Sequence, residues 1–266
     1  MATKADSAHS TFLRGFAILE YIVESNRPVS GADLISDLGL PKATAHRLAR
    51  QLEKEGFLRR EPLRSRYIAG PRLHDFALAV LSNRVLGAPR HSILKALSQE
   101  IGETCNCSMM DGGDIVYFDR AQANWPYRID LPVGTHLPLH CTASGKLFLA
   151  HLPKTTRDRL IYNSPLSRQT DRTITDPVLL EKELDRIAAE AVGVDNEELM
   201  PGMVALSVPV YDQTNRMCLT IAVHAPTIRK SLQELRQYLP ALRRAAAALS
   251  ATYFPEDERS ERAIPN

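Results

Sequence analysis

Three helix-forming stretches, separated by helix-breaking residues, follow one another in the first 56 positions and limit the folds open to the chain. In residues 11–24 apolar side chains recur at three- and four-residue spacing, which is typical of an amphipathic helix. A second, shorter helix is predicted to begin at the capping residue Ser30 and to end before Gly39. Pro41 suits the first turn of a third helix, because that turn needs no intrahelical N–H donor, and Gly56 ends it. The pattern predicts a helix-turn-helix unit.

The third predicted helix has two chemically different sides. Leu48 and Leu52 lie on the side that faces the core. The outward side combines small residues, which allow close approach to base edges, with basic residues, which pair with guanine or phosphate. The start of a helix also favours phosphate. We therefore predict that this side contacts DNA through Lys42, Ala43, Thr44, His46, Arg47 and Arg50.

A basic hairpin is predicted directly after the third helix. Phe57-Leu58 and Tyr67-Ile68 are short β-type segments on either side of a turn that runs from Arg59 to Arg66. Such a hairpin is a wing, which lies on the flanking backbone or in the minor groove when the preceding helix enters the major groove. The sequence predicts a winged helix-turn-helix that binds double-stranded DNA, with Arg64 and Arg66 as wing contacts.

Positive charge is concentrated in the same segment. The whole chain is nearly neutral, with 33 Lys and Arg against 31 Asp and Glu, yet residues 41–66 contain eight basic and only three acidic residues. A local positive field is expected of a surface that meets phosphates. Two alternatives remain open at this stage: a solvated charged face, and a winged-helix interaction domain at 11–70 without a nucleic-acid role.

The rest of the chain alternates strand and helix patterns. A connecting helix is predicted from Leu73 to Leu81, and period-2 segments begin after Gly102. Helices are predicted at about 143–151, 177–190 and 231–252. Strands in hairpins with interleaved helices indicate an α+β domain with a mainly antiparallel sheet. The predicted division is a flexible N-terminus at 1–10, the winged helix-turn-helix at 11–71, a linker helix at 72–86, an effector-binding domain at 87–253 and a flexible tail at 254–266.

Several segments carry motifs in a fixed order: TFLRGFAILE at 11–20, GLPKATAHRL at 39–48, YIAGPRL at 67–73, HCTASGK at 140–146, RTITDP at 172–177 and DNEE at 195–198. Together they resemble IclR-type bacterial transcriptional regulators. The resemblance implies a winged-helix DNA-binding domain and a GAF-like α/β domain that senses a small carboxylate, in a regulator of catabolic genes. It also implies assembly as homodimers or as dimers of dimers.

The segment around residues 137–146 has the strongest chemical signal in the second domain. Thr142 is a plausible helix N-cap, so the backbone N–H groups of Ala143, Ser144 and Gly145 would be free at a helix start. Such a start is an anion site, and apolar walls would complete a pocket for a small carboxylate. No cofactor beyond this small-molecule effector is predicted.

The resemblance also implies which residues contact the effector: Ile129 or Leu131, Ala143, Ser144, Asp195, Met203, Ala205, Ala222 and His224. Small-acid sensors of the family carry Cys and two Ser near the last strands, whereas this chain has Ala205, Ala222 and His224 at those positions. The difference predicts a roomier, less polar pocket for an aromatic or longer acid. An alternative for His224 is an ordinary core histidine.

Enzyme activity and metal or thiol sensing are the alternatives to an effector-binding regulator. His140 and Cys141 are adjacent, so on an extended segment they point to opposite faces, and no catalytic motif accompanies them; we predict no enzyme activity. Cys105 and Cys107 lie on one face of a strand and, with Cys141, leave a metal- or thiol-sensing regulator as the alternative function, although no metal ligand is assigned. The acidic run 195–198 is expected to be a turn with a solvated edge.

The remaining predictions concern the compartment. No run of about 18 apolar residues is present, and the first ten residues lack the apolar stretch of a signal peptide. The sequence therefore predicts a cytoplasmic protein without a membrane partner, whose cysteines stay reduced.

Overall fold

A computed structural model describes residues 11–25, 27–61, 65–83, 87–125 and 131–254 of the 266-residue chain. The chain divides into two compact units, Met1–Leu81 and Ser82–Asn266. No helix in the described ranges is long and apolar enough to cross a membrane.

The first unit contains a three-helix cluster, a two-stranded antiparallel hairpin and a following helix. Its elements are α1 (Thr11–Glu24), α2 (Gly31–Ser36), α3 (Lys42–Lys54), β1 (Leu58–Arg60), β2 (Tyr67–Ala69) and α4 (Pro71–Ser82). The predicted capping box is present, because the Ser30 side chain accepts from the Asp33 N–H and the Asp33 carboxylate accepts from the Ser30 N–H. The predicted order of helix, turn, helix and wing is thus confirmed.

The core of the first unit lies between the three helices and the hairpin. It is formed by Ile18, Ile22, Val29, Leu34, Leu40, Ala45, Leu48, Ala49, Leu58 and Tyr67. On α1 only Ile18 and Ile22 are buried, and Leu19 packs partly buried against the same core. Four large apolar side chains of α1 are exposed, namely Phe12, Leu13, Phe16 and Val23.

The second unit is a mixed α+β fold around one sheet. Its helices are α5 (Ala88–Ile101), α6 (Ala143–His151), α7 (Lys154–Tyr162), α8 (Pro177–Glu190), α9 (Leu232–Arg236) and α10 (Leu239–Tyr253). Its strands are β3 (Thr104–Asp111), β4 (Asp114–Ala121), β5 (His136–Pro138), β6 (Gly193–Asn196), β7 (Met203–Tyr211) and β8 (Met217–Pro226). The six strands are ordered β5-β4-β3-β8-β7-β6, and every pair is antiparallel.

The two faces of this sheet are chemically different. Side chains alternate between faces along a strand, so Asn106 lies on the opposite face from its neighbours Cys105 and Cys107. The face of Asn106 is covered by α6, whose Ser144 accepts a hydrogen bond from Thr220 on β8. The opposite face, which carries Cys105 and Cys107, packs against α5.

Some elements differ from the sequence prediction. One helix was predicted at 231–252, whereas the structure has α9 and α10, because Gln237 and Tyr238 form a turn before Pro240 starts the next helix. The strands β5 and β6 and the helix α7 were not predicted. Both strands are short, and α7 lacks a strong apolar periodicity.

Candidate functional site

Helix α3 exposes basic side chains on the side opposite its buried residues. Ala45, Leu48 and Ala49 are buried in the core, which fixes the rotation of the helix about its axis. The side chains of Lys42, Ala43, Arg47 and Arg50 are exposed. These four predicted DNA contacts therefore share one solvent-facing surface, which begins at the positive end of the helix dipole.

The other two predicted contacts on α3, Thr44 and His46, are half-buried. The His46 ring packs against the start of α2, since a Cβ added to Gly31 would come within 3.0 Å of His46 Cε1. The imidazole thus holds the two helices of the motif close together. Gly31 is needed at this contact because any larger residue would displace the ring.

The wing follows α3 closely. Arg60 of β1 donates to Glu53 of α3 at 3.0 Å and to the Tyr67 hydroxyl at 3.0 Å, and its guanidinium lies over the Tyr67 ring. These contacts connect the hairpin to the helix. Arg66 is half-buried at the turn end of the hairpin, where its carbonyl accepts the Glu61 N–H. Arg64, the other predicted wing contact, lies outside the described residues.

The second unit has a narrow cavity over the Asn106 face of the sheet, and part of it is open to solvent. Its walls combine apolar side chains with a few polar groups, as the walls of small-molecule sites do. Four residues predicted to contact an effector line it, namely Leu131, Asp195, Met203 and His224. The lining also includes residues that the sequence had not indicated, among them Thr104, Asn106, Tyr117, Arg120, Leu199 and Arg229.

His224 on β8 is the polar centre of the cavity wall. Its Nε2 lies 3.1 Å from Asn106 Nδ2 and 3.4 Å from the Tyr117 hydroxyl. Burial, with a smaller effect of the positive charge on Arg120, lowers the pKa of His224 to about 4. The ring is therefore neutral at physiological pH, and Nε2 accepts hydrogen bonds. The alternative for His224 was an ordinary core histidine; in the structure its buried ring lines the cavity.

Asp195 is the last residue but one of β6 and shares a sheet face with His224, because Asp195 pairs with Ala205 and Ala205 pairs with His224. Its carboxyl accepts the N–H groups of Glu198 at 2.7 Å and Leu199 at 3.4 Å. Burial raises the pKa of Asp195 from 3.8 to about 7, although these N–H bonds act in the opposite direction. Asp195 therefore carries a proton in a large share of molecules near neutral pH.

The expectation that residues 195–198 form a solvated acidic edge is wrong. Asp195 is 4% exposed and Glu198 is 5% exposed. Glu198 forms an ion pair with Lys146 of α6, a lysine whose side chain is completely buried and which also lies 3.4 Å from Glu183. The turn after β6 is thus held inside the fold, where Leu199 forms part of the cavity wall.

The other predicted effector residues lie close to the cavity but do not line it. Ala205 and Ala222 are buried on the same sheet face, next to His224 and Asn106. Ala143 and Ser144 begin α6, whose start is capped by Thr142 and enclosed. The open anion site expected there is absent from the described structure, so an effector would reach it only if α6 and the sheet separated. Ile129 lies outside the described residues.

Glycine allows this close approach of α6 to the sheet. A Cβ added to Gly193 of β6 would come within 2.0 Å of the Ala143 carbonyl oxygen and 2.4 Å of Ser207 Oγ. Only a residue without a side chain fits here. The start of α6 therefore rests directly on the sheet beside the cavity.

The cysteines are not assembled into a site. Cys105 and Cys107 lie on the sheet face opposite the cavity, and burial raises the pKa of both thiols. Burial also raises the pKa of Cys141, to about 12, which disfavours its thiolate. Within the described ranges, no group of three or more His, Cys, Asp or Glu could hold a metal ion. This arrangement argues against the metal- or thiol-sensing alternative.

The residues that the sequence analysis missed share one signal. In the run 104–108 every second residue is polar, so Thr104, Asn106 and Ser108 face one way and the cysteines face the other. The two cysteines in this segment suggested thiol chemistry, and the polar face on the other side of the strand was not predicted. Tyr117 and Arg120 join this face only through the pairing of β4 with β3, which one segment alone does not reveal.

The two units define a class of protein: a winged helix-turn-helix that presents a basic helix, joined to an α/β unit with a cavity for a small molecule. Such a chain is a DNA-binding regulator with a sensory domain. Comparison with known proteins supports this class. Residues 11–62 match the IclR helix-turn-helix domain, and residues 78–251 match the domain described as bacterial transcriptional regulator IclR C-terminal.

Similar proteins span nearly the whole chain. The probable transcriptional regulator SauR of Cupriavidus necator is 39% identical over 94% of this chain and 99% of its own length. The crystal structure of Thermotoga maritima IclR is 26% identical, with a TM-score of 0.60, over 90% of this chain and 97% of that one. An inducer-binding domain of PobR from Acinetobacter, a double mutant in complex with 3-hydroxybenzoic acid, is 27% identical, with a TM-score of 0.56, over 60% of this chain and 94% of that one.

The chain belongs to the IclR family of transcriptional regulators. It is therefore a DNA-binding regulator and not an enzyme, as predicted from its motifs.

Proposed function

We propose that the protein binds double-stranded operator DNA as a homodimer, with α3 in the major groove and the wing on the flanking backbone. The observation that carries this proposal is the exposed basic side of α3, whose rotation the buried residues Ala45 and Leu48 fix. We assign the DNA contacts to Lys42, Ala43, Thr44, His46, Arg47, Arg50, Arg64 and Arg66.

Removal of one α3 arginine tests the interface. Arg47→Ala or Arg50→Ala should weaken operator binding by about tenfold or more, because each loses a contact to a base or phosphate, while the melting temperature stays unchanged. Gel-shift titration at fixed salt gives the affinities. Arg244→Ala, which removes an exposed positive charge from the second unit, is the matched control and should bind as the unchanged protein does. Full affinity in both α3 variants would contradict the assignment.

We propose further that a small carboxylate, aromatic or aliphatic, occupies the cavity of the second unit. Apolar side chains of Leu131 and Met203 suit a hydrocarbon body, and the guanidinium of Arg120 suits an anion. The complex of the PobR domain with 3-hydroxybenzoic acid supports an aromatic acid. The effector contacts are assigned to Ile129 or Leu131, Ala143, Ser144, Asp195, Met203, Ala205, Ala222 and His224, with the enclosed residues taking part once α6 and the sheet separate.

A thermal-shift screen of small carboxylates tests the effector class. A binding acid should raise the melting temperature, because it stabilises only the folded state. The shift should disappear in Asp195→Ala and in Ala143→Leu. Asp185→Ala, an exposed change on α8, is the control and should keep the full shift. A screen in which no carboxylate binds, or in which Asp195→Ala responds fully, would count against the proposal.

We propose that effector binding changes the populations of quaternary states and thereby DNA affinity at catabolic genes. The domain limits proposed for this mechanism are 11–71, 72–86 and 87–253, and the place of action is the cytoplasm, where bacterial DNA is found. Dimerisation through the first unit is supported by exposed aromatic rings on α1 and α4, Phe12, Phe16 and Phe76. Paired α3 helices could then read successive half-sites.

A further inference from the structure

One buried polar group in the cavity wall has no partner. Asn106 is 1% exposed and lines the cavity, yet its Oδ1 lacks a hydrogen bond within the described part of the chain. Buried polar atoms are nearly always paired, because an unpaired one has lost its water without compensation. An exception in a ligand cavity therefore points to an atom that the ligand brings.

The nitrogen of the same amide is held by a contact with His224. Asn106 Nδ2 lies 3.1 Å from His224 Nε2, and the Tyr117 hydroxyl approaches the same nitrogen at 3.4 Å. In this arrangement His224 Nε2 is the acceptor of both contacts, and the amide nitrogen of Asn106 is turned toward it. Oδ1 is then left as the unpaired acceptor of a residue that lines the cavity.

The neighbouring residues do not supply a donor to Oδ1. The residue paired with Asn106 on β8 is Ala222, whose methyl group cannot donate, and Arg120, paired with Asn106 on β4, makes no hydrogen bond to Oδ1 within the described residues. Next to Asn106 on β3, Ser108 is bonded to Thr220, and Thr104 accepts the N–H of Ala123.

We propose that the effector is a hydroxy acid and that Asn106 Oδ1 accepts a hydrogen bond from its hydroxyl group. The inference rests on the proposed effector site and adds a specificity-determining residue to it. The carboxylate group of an effector does not by itself require an uncharged acceptor such as Asn106 Oδ1. A hydroxyl donor supplies the missing partner without placing a second charge beside the buried Asp195.

Matched pairs of acids that differ by one hydroxyl test this proposal. We would measure binding to the full-length protein by calorimetry for 3- and 4-hydroxybenzoate against benzoate, and for 3-hydroxypropionate against propionate. In at least one pair the hydroxy acid should bind about tenfold more tightly, the size expected for one buried hydrogen bond.

Variants at Asn106 test the residue. Asn106→Leu, nearly equal in volume, should bring the preference in that pair close to unity, because the acceptor is gone. Asn106→Asp keeps an oxygen acceptor and should keep the preference even if overall affinity changes. Asn163→Leu, at the exposed end of α7, should behave as the unchanged protein. Circular dichroism and melting temperature verify that each variant folds.

Each outcome is decisive. Acids that bind without any preference for the hydroxy member overturn this inference and leave the carboxylate proposal intact. A preference that persists in Asn106→Leu shows that the amide does not accept from a hydroxyl, and the assignment fails. If no acid binds at all, the carboxylate proposal fails together with the inference.

Discussion

The carboxyl of Asp195 illustrates how much one buried residue depends on its surroundings. Its two backbone N–H bonds favour the ionised form, whereas removal from water and the neighbouring Glu198 favour the protonated form. Burial dominates, and the pKa rises to about 7. The charge at the cavity wall therefore changes within the range of pH that cells experience.

This shift predicts a pH-dependent stability. Between about pH 4 and pH 7 the folded protein holds a proton on Asp195 that the unfolded chain has released, so the contribution of Asp195 to the free energy of unfolding falls as pH rises and is constant above that range. Asp195→Asn cannot ionise. Relative to the unchanged protein, it should gain about 2 kcal/mol between about pH 5 and about pH 8, measured by urea unfolding.

The matched change at exposed Asp185 provides the comparison for that series. Asp185→Asn should follow the unchanged protein at every pH, because solvent surrounds the carboxyl in both states. A constant difference between Asp195→Asn and the unchanged protein across the series would mean that Asp195 stays ionised in the fold.

For single residues, the sequence indicated which positions lie at the cavity, but it did not indicate their protonation states. Asp195 and His224 were assigned to a pocket from the resemblance, and both line the cavity. Their protonation depends on burial, which local sequence does not encode. Asn106 was missed because its partner atoms come from β8 and β4, distant in the chain.

Helix α6 and the turn after β6 are joined by the buried ion pair of Lys146 and Glu198. Both side chains are almost fully excluded from water, and one oxygen of Glu198 has no partner in the described residues. Each charge is therefore tolerable only while the other is present. The pair couples the helix beside the cavity to the turn that forms part of its wall.

Removal of one partner should be costly. Lys146→Met leaves the Glu198 carboxylate buried and uncompensated, and should lower the free energy of unfolding by about 3–5 kcal/mol in chemical denaturation. Lys146→Met combined with Glu198→Leu should recover most of that loss. Lys154→Met, which breaks an exposed pair with Asp158, should cost less than about 1 kcal/mol. A double variant as unstable as the single one would show that the two charges are not coupled.

Elements with a strong local pattern agree with their prediction, and α1, α6 and α8 have the bounds expected from the sequence. The edge strands β5 and β6 were missed because three or four residues are too few to show a period. They become strands only by pairing with β4 and β7. The break between α9 and α10 was missed because apolar spacing continues across it.

For the whole molecule, the exposed apolar side of α1 is the main support for the proposed homodimer. The Phe12 and Phe16 rings are 4.8 Å apart, and 69% and 47% of their surfaces are exposed. Apolar spacing alone cannot distinguish a side chain buried in its own core from one left for a partner. This is why the sequence predicted the helix but not which of its apolar side chains stay exposed.

Replacement of both rings tests the dimer. Phe12→Ser combined with Phe16→Ser should shift the protein toward the monomer in sedimentation experiments and weaken operator binding, with little loss of fold stability because neither ring is in the core. Ile228→Ser, at a side chain that is 81% exposed in the second unit, is the comparison and should not change the dimer of the first unit. Unchanged sedimentation of the double variant would exclude this surface as the interface.

The pairing of β3 with β8 has a consequence for the order in which the protein acquires its abilities. Asn106 and His224, which meet in the cavity wall, are 118 positions apart, whereas the core of the first unit is complete by Tyr67. A ribosome releases the chain from its N-terminus, and closing so long a loop is slow compared with local folding. The nascent chain therefore gains its DNA-reading unit early and its cavity last, and a product truncated before His224 retains the former without the latter.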